Sequence, residues 1–194
     1  MALSKIDAAN FLTGTIPQGN VANASLGAVT ALPGAIPTGK VLQVVTGTTT
    51  YGKTNSSTSF TDVESSSGVT WVTSITPSSS SNKIFIISNI GSNIYESGSS
   101  EGDQRGNLQM LGDINGGGYS TLSGVHKAGG YSYGGGSYGV SIGDGTPLNL
   151  LWSPNTTSQC NVKFQFKPLG NNGYMDVVGT GSQVNTCTLL EVSG

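Results

Sequence analysis

Between Gly39 and Ile90 the chain alternates short β-branched runs with clusters of Ser, Thr, Gly and Asn: GKVLQVVTGTTTYG, then SSTSFTDV, then GVTWVTSITPSSSSNKIFIISNI. Brief runs rich in Val, Ile, Thr, Phe and Trp, bounded by turn formers, are the pattern of strands. Two of these runs carry apolar residues on both sides of the pleat. Along Lys83 to Ile90, Ile84, Ile86 and Ile90 point one way while Phe85 and Ile87 point the other. Along Val41 to Val45, Val41 and Val45 oppose Leu42 and Val44. A sheet in a sandwich has one wet face, so a strand apolar on both faces needs a second partner. Leu42, Val44, Phe85 and Ile87 are therefore the expected contact residues between copies of the chain. Val69, Trp71 and Ile75, with Thr70 and Ser74 opposite, predict an ordinary half-buried strand.

The same reading continues toward the C-terminus. Ser92 to Gly106 reads as a polar loop, and Asn107 to Leu111 as a short strand with Leu108 and Met110 inward. Thirteen of the 30 glycines fall between Gly112 and Gly145, a density that predicts broad loops rather than a long regular element. Strand signals resume at Leu148, Leu150 and Trp152, at Cys160 to Phe166, at Tyr174 to Val178 and at Val184 to Val192. About ten short strands and no convincing helix predict an all-β, antiparallel β-sandwich, jelly-roll-like, over residues 38–194.

Residues 1–37 differ. Strand formers rarely alternate there, and Leu12-Thr-Gly-Thr-Ile16-Pro17 returns as Leu32-Pro-Gly-Ala-Ile36-Pro37. Such a segment cannot bury its own apolar residues. It is ordered only when copies of itself or a larger assembly hold it. This predicts an extended N-terminal arm, with Leu12, Ile16, Leu32 and Ile36 as anchoring residues.

Charge narrows the partners. Only 9% of the 194 residues are Asp, Glu, Lys or Arg, the net charge is -2, and no basic block exists. Nucleic acid and anionic membrane both select clustered Lys and Arg, so neither is expected. No signal-peptide pattern and no apolar run of membrane-spanning length is visible, which predicts a chain soluble where it is made. Cys160 alternates inward with Val162, Phe164 and Phe166, and reads, like Cys187, as a small buried hydrophobe; a disulfide between them stays open at this stage.

GKVLQVV at Gly39 to Val45, SSTSFTDV at Ser56 to Val63, VTSITPSSSSNKI at Val72 to Ile84 and CTLLEVSG at Cys187 to Gly194 together resemble a β-sandwich module of bacteriophage tail-fibre and related virion proteins. LTGTIPQGNVANASLGAVTALPGAI is similar to the segment preceding that module. Where the family often places an Arg-Asp-Gly turn, this chain has Leu111-Gly112-Asp113. The resemblance implies a homotrimeric virion fibre, attached through residues 1–37 to other virion proteins and assembled in the bacterial host cytoplasm. A capsid head fibre or decoration protein is the alternative it leaves.

Catalytic motifs are weak. Two G-x-S-x-G matches, at Gly135 to Gly139 and Gly139 to Gly143, have no helix after the serine, and His126 precedes both. Gly134-x-Gly136-x-x-Gly139 lacks the strand and helix a dinucleotide needs. Asp113-Ile-Asn115 before glycines hints at a calcium loop, but Asp or Asn before Gly is ordinary turn chemistry. Three copies of His126 meeting on an axis would offer a metal site; a lone histidine in a Gly-rich loop is more often merely solvated. Asn23, Asn55 and Asn155 begin N-x-[ST] sequons. Tyr119, Tyr131, Tyr133 and Tyr138 offer apolar rings and hydroxyls suited to a host surface glycan, against the plainer reading of loop packing. The ten acids are scattered singly, whereas a glycan-degrading enzyme needs two carboxylates on one cleft. The expectation is a nonenzymatic structural protein with no cofactor; a tailspike-type enzyme or a free lectin ranks below it.

Overall fold

The computed structural model describes residues 40–96, 102–132, 144–169, 173–177 and 183–194. Residues 1–37, with Leu12, Ile16, Leu32 and Ile36, lie outside them, as do Tyr133, Tyr138 and both G-x-S-x-G matches. Among the described residues every regular element is a strand. Over these residues the chain is all-β and its strand pairs are antiparallel.

The first sheet contains β1 (Val41–Thr49), β2 (Lys53–Asn55), β7 (Lys83–Glu96), β11 (Asp144–Trp152), β13 (Gly173–Val177) and β14 (Asn185–Val192). Its order is β1-β14-β7-β13-β2, with β11 on β7. The second sheet contains β3 (Thr61–Asp62), β6 (Val72–Ile75), β8 (Gly102–Ile114), β9 (Ser120–Thr121), β10 (His126–Ser132) and β12 (Cys160–Pro168). There β12 lies between β8 and the pair β3 and β6, with β10 and β9 on β8. A ribbon of β4 (Glu64–Ser66) and β5 (Val69–Thr70) stands apart.

Each sheet turns one face inward because its strands alternate with period two. Ile84, Ile86, Ile90 and Ile94 of β7, Leu148 of β11, Leu189 and Cys187 of β14, and Met175 and Val177 of β13 face the core from the first sheet. Cys160, Val162, Phe164 and Phe166 of β12, with Leu108 and Met110 of β8, face it from the second. Trp71 stacks on Phe164 with ring centroids 5.5 Å apart. Gly47 of β1 lets the sheets approach closely, since a Cβ there would overlap the Thr73 hydroxyl.

Four expectations need correction. Ser92 to Gly106 is not a polar loop: β7 runs on to Glu96, where Ile94 continues the inward alternation past Ser92, and β8 begins at Gly102, paired with β10 in the other sheet. The Gly-rich stretch does hold a regular element, β10, whose Gly129 and Gly130 pair with Arg105 and Gln104. Val69 does not share the core face of Trp71; it sits in the separate ribbon and is exposed, and Thr73 takes the inward place between Trp71 and Ile75. Val41 is exposed as well, because a bulge between Val41 and Gln43 breaks the alternation before Val45 reaches the core.

Candidate functional site

The outer faces of the two sheets differ in kind. On the first sheet Phe85 of β7 stands opposite Leu151 of β11 on one side and Leu190 of β14 on the other, and Leu190 stands opposite Val44 of β1. Leu151, Phe85, Leu190 and Val44 thus form one unbroken apolar row across four strands. Ile87 lies in the next row, and Leu42 is the unpaired residue at the bulge of β1. Exposure is 51% for Leu151, 37% for Phe85, 57% for Val44, 42% for Ile87 and 43% for Leu42. The sequence picked out Leu42, Val44, Phe85 and Ile87; it missed Leu151 and Leu190. Strand alternation placed both on a face, but only the register places them beside Phe85. The next row, Thr46, Thr188, Ile87 and Asn149, is mostly polar, with Thr46 and Thr188 joined hydroxyl to hydroxyl at 3.1 Å.

The outer face of the second sheet carries a polar network around Lys163, with Val72 and Leu111 on either side of it. Lys163 Nζ donates to the Asp62 carboxylate at 2.9 Å, Gln165 Nε2 donates to it at 2.7 Å and Thr70 Oγ1 at 3.0 Å. Gln109 Nε2 donates to Gln165 Oε1 at 2.7 Å, so the network crosses from β12 to β8. Burial raises the Asp62 pKa, but the donors from Gln165, Lys163 and Thr70 outweigh it and hold the carboxyl below its ordinary range.

Tyr119 borders this network. Its ring lies 4.3 Å from Lys163 Nζ and it is 38% exposed. Burial, then the charges of Asp113 and Asp62, push its hydroxyl pKa up, so it stays protonated and able to donate. Only the backbone of Tyr131 is described, paired with Asp103 in β10. Of the four candidate glycan contacts, Tyr119 is the one whose side chain is placed.

Asp113 is spent on the turn after β8. Its oxygens accept from Gly116 N at 2.8 Å, Gly118 N at 2.7 Å and Asn161 Nδ2 at 3.0 Å. The Asn161 bond first, then these backbone donors, lower its pKa against the effect of burial. Asn115 takes a positive φ of 53° and Gly116 one of 76°, the left-handed geometry that Asn and Gly tolerate. The turn reading of Asp113-Ile-Asn115 replaces the calcium loop. His126 sits half-buried in β10 opposite Leu108, and among the described residues no group of three His, Cys, Asp or Glu is placed to hold a metal. The Asn55 sequon is structural: its amide donates to Ser59 O at 2.9 Å and Phe166 O at 3.1 Å. Cys160 and Cys187 are free and buried. Burial pushes their thiols up, to about 11 and about 12.

A third feature was invisible in the sequence. Glu191, on the inward side of β14, is 1% exposed. It accepts from Ser78 N at 2.6 Å, Ser78 Oγ at 2.7 Å and Asn82 Nδ2 at 2.6 Å. Burial raises its pKa, yet the donors from Ser78 and Asn82 bring it below the ordinary value. Asn82 Oδ1 in turn accepts from Gly194 N at 3.3 Å, so one cluster ties the Ser-rich turn before β7 to the last residues of the chain.

No protein-family model matches the chain, and no curated protein matches it. Among solved structures it is similar to a chain of the "Structure of infectious bursal disease virus Gx strain", at 11% identity and a TM-score of 0.29. That likeness covers 78% of this chain and 42% of the other, and agreement of that size carries no argument about function.

Proposed function

We propose that the chain is a structural component of a bacteriophage virion: a short homotrimeric fibre anchored by residues 1–37 and displaying the sandwich, jelly-roll-like, outward. The observation that carries this reading is where the four family-like phrases fall. GKVLQVV forms the start of β1, which pairs with CTLLEVSG in β14; β14 pairs with β7, which opens at the end of VTSITPSSSSNKI. Glu191 of the last phrase is the acceptor for Ser78 and Asn82 of the third. SSTSFTDV supplies β3, which pairs with β12. Three of the four phrases, far apart in sequence, therefore build one hydrogen-bonded frame, as the parts of a single inherited module would, and the fourth joins the facing sheet through β12.

Four of the described carboxylates are poised for structure and not for glycan cleavage. A glycosidase keeps one carboxyl protonated by raising its pKa. Asp62, Glu64, Asp113 and Glu191 are all shifted the other way, Glu64 chiefly by the donor from Lys53. Capsid decoration is the second reading, since residues 1–37 span at most about 120 Å when extended.

The test is to purify particles from infected cells and locate a C-terminal label by electron microscopy. Label at the tail tip supports the fibre, label over the head supports decoration, and a chain absent from particles overturns both. Release of reducing sugar from host polysaccharide by the purified chain would restore the enzyme.

A further inference from the structure

We infer that Asn115 is a latent deamidation site and that Asp113 is the positioning residue that keeps it closed in the folded chain. This holds whether or not the chain resides in a virion.

The modification needs no enzyme. In an Asn-Gly pair the backbone nitrogen of the glycine attacks the asparagine Cγ: a C–N bond forms, the side-chain nitrogen leaves as ammonia, and the amide proton passes to it through solvent. Water then opens the cyclic imide at one carbonyl or the other, which leaves aspartate or isoaspartate. Glycine favours the attack because it sets no Cβ beside the nucleophile. Asn115-Gly116 is such a pair, and both residues are exposed in the turn after β8. Nothing lies within 4 Å of where a Gly116 Cβ would stand, so no packed side chain obstructs the ring.

Hydrogen bonding obstructs it instead. Four successive N–H groups of the turn are engaged: Asn115 donates to Gln159 O at 2.9 Å, Gly116 to Asp113 Oδ2 at 2.8 Å, Gly117 to Ile114 O at 3.0 Å and Gly118 to Asp113 Oδ1 at 2.7 Å. Gly116 N approaches Asn115 Cγ only if its peptide unit rotates, and rotation gives up the bond to Asp113. The carboxylate is not free to follow, because Asp113 is buried and Asn161 Nδ2 of β12 holds its Oδ2 at 3.0 Å. Charge acts in the same direction. The attacking nitrogen must shed its proton, and an ionised carboxylate oxygen 2.8 Å away opposes a second negative charge there. Asp113 is ionised at neutral pH, since Asn161 and the N–H groups of the turn lower its pKa. Isoaspartate would lengthen the main chain by a methylene inside a turn whose closure sets Gly112 opposite Ser120 and Leu111 opposite Thr121.

The experiment incubates the full chain in mildly alkaline buffer, folded and unfolded in guanidinium, and follows Asn115 by peptide mass mapping and enzymatic methylation of isoaspartate. Cleavage after Arg105 and Lys127 separates Asn115 from Asn172-Gly173, the other Asn-Gly pair of the sequence. Asp113→Ala removes the guard; Asp113→Asn, which keeps the shape but turns one acceptor into a donor, replaces it should the alanine variant not fold. Val177→Ala loosens the core from β13 in the other sheet and controls for general destabilisation. Near-ultraviolet circular dichroism confirms each fold. The expected result is conversion about a hundredfold slower in the folded wild type than in the unfolded chain, rising roughly tenfold or more in a folded Asp113 variant and staying slow in Val177→Ala. A folded wild type that converts as fast as the unfolded chain overturns the closed site. Folded Asp113 variants as slow as wild type, or Val177→Ala as fast as they are, overturn Asp113 as its guard.

Discussion

Glu191 shows how one side chain can join distant parts of a fold. Its carboxylate sits among Ser78 N, Ser78 Oγ and Asn82 Nδ2, and removing it strands three donors. Glu191→Ala should cost about 3 kcal/mol in urea unfolding, the scale for breaking a buried charged hydrogen-bond cluster. The pH dependence follows from the lowered pKa. The unfolded glutamate takes up a proton near its ordinary value of 4.5, before the folded one does. Its contribution is therefore complete above about pH 5 and is lost as pH falls through the lower folded value. Melting temperature should be level from pH 7 to 5 and fall below pH 4.5, and Glu191→Gln should flatten part of that fall. Gly47→Ala tests close approach: its Cβ meets Thr73 in the facing sheet, and overpacking of this kind costs about 1–3 kcal/mol, read from the urea midpoint. Neither role is legible locally. A glutamate at an inward position of a strand contradicts the pattern, and its partners lie more than one hundred residues earlier.

Among elements, β12 was the most legible. Cys160, Val162, Phe164 and Phe166 alternate with Asn161, Lys163 and Gln165, and every one of the first set is fully buried. Phe164→Ala should lower stability by about 4 kcal/mol, since it removes a fully buried ring stacked on Trp71. Loss of that stacking should also change the near-ultraviolet dichroism. Alternation was equally informative over Lys83 to Ile90, where Ile84, Ile86 and Ile90 are buried and Phe85 and Ile87 exposed. It failed where few apolar residues mark the pleat. The far end of β7 and the start of β8 were read as loop, and β10 was hidden by its glycines. Backbone hydrogen bonding does not require a side chain, so a strand paired to a strong neighbour persists through weak sequence. Val69 failed for the opposite reason: two residues of ribbon register moved it off the face that Trp71 occupies.

At the scale of the molecule, the sandwich holds its core between its own two sheets, within the described residues. A chain of residues 38–194 should therefore keep the β-type far-ultraviolet spectrum and melt within a few degrees of the full chain; on the proposed virion reading it should also lose incorporation into particles. A shortened chain that still enters particles would remove residues 1–37 as anchor. What the amino-acid order determined unaided was everything set by period two: the all-β class, the buried members of β12 and of the first half of β7, and the apolar excess on Phe85 and Ile87. These follow from side chains pointing alternately along a strand, which needs no knowledge of neighbours. Register, the junction of Leu151 and Leu190 with that excess, the polar network on the opposite face and the setting of Glu191 were decided only in three dimensions. Each depends on which strands pair and at what offset, and pairing is a long-range choice made by the whole core at once.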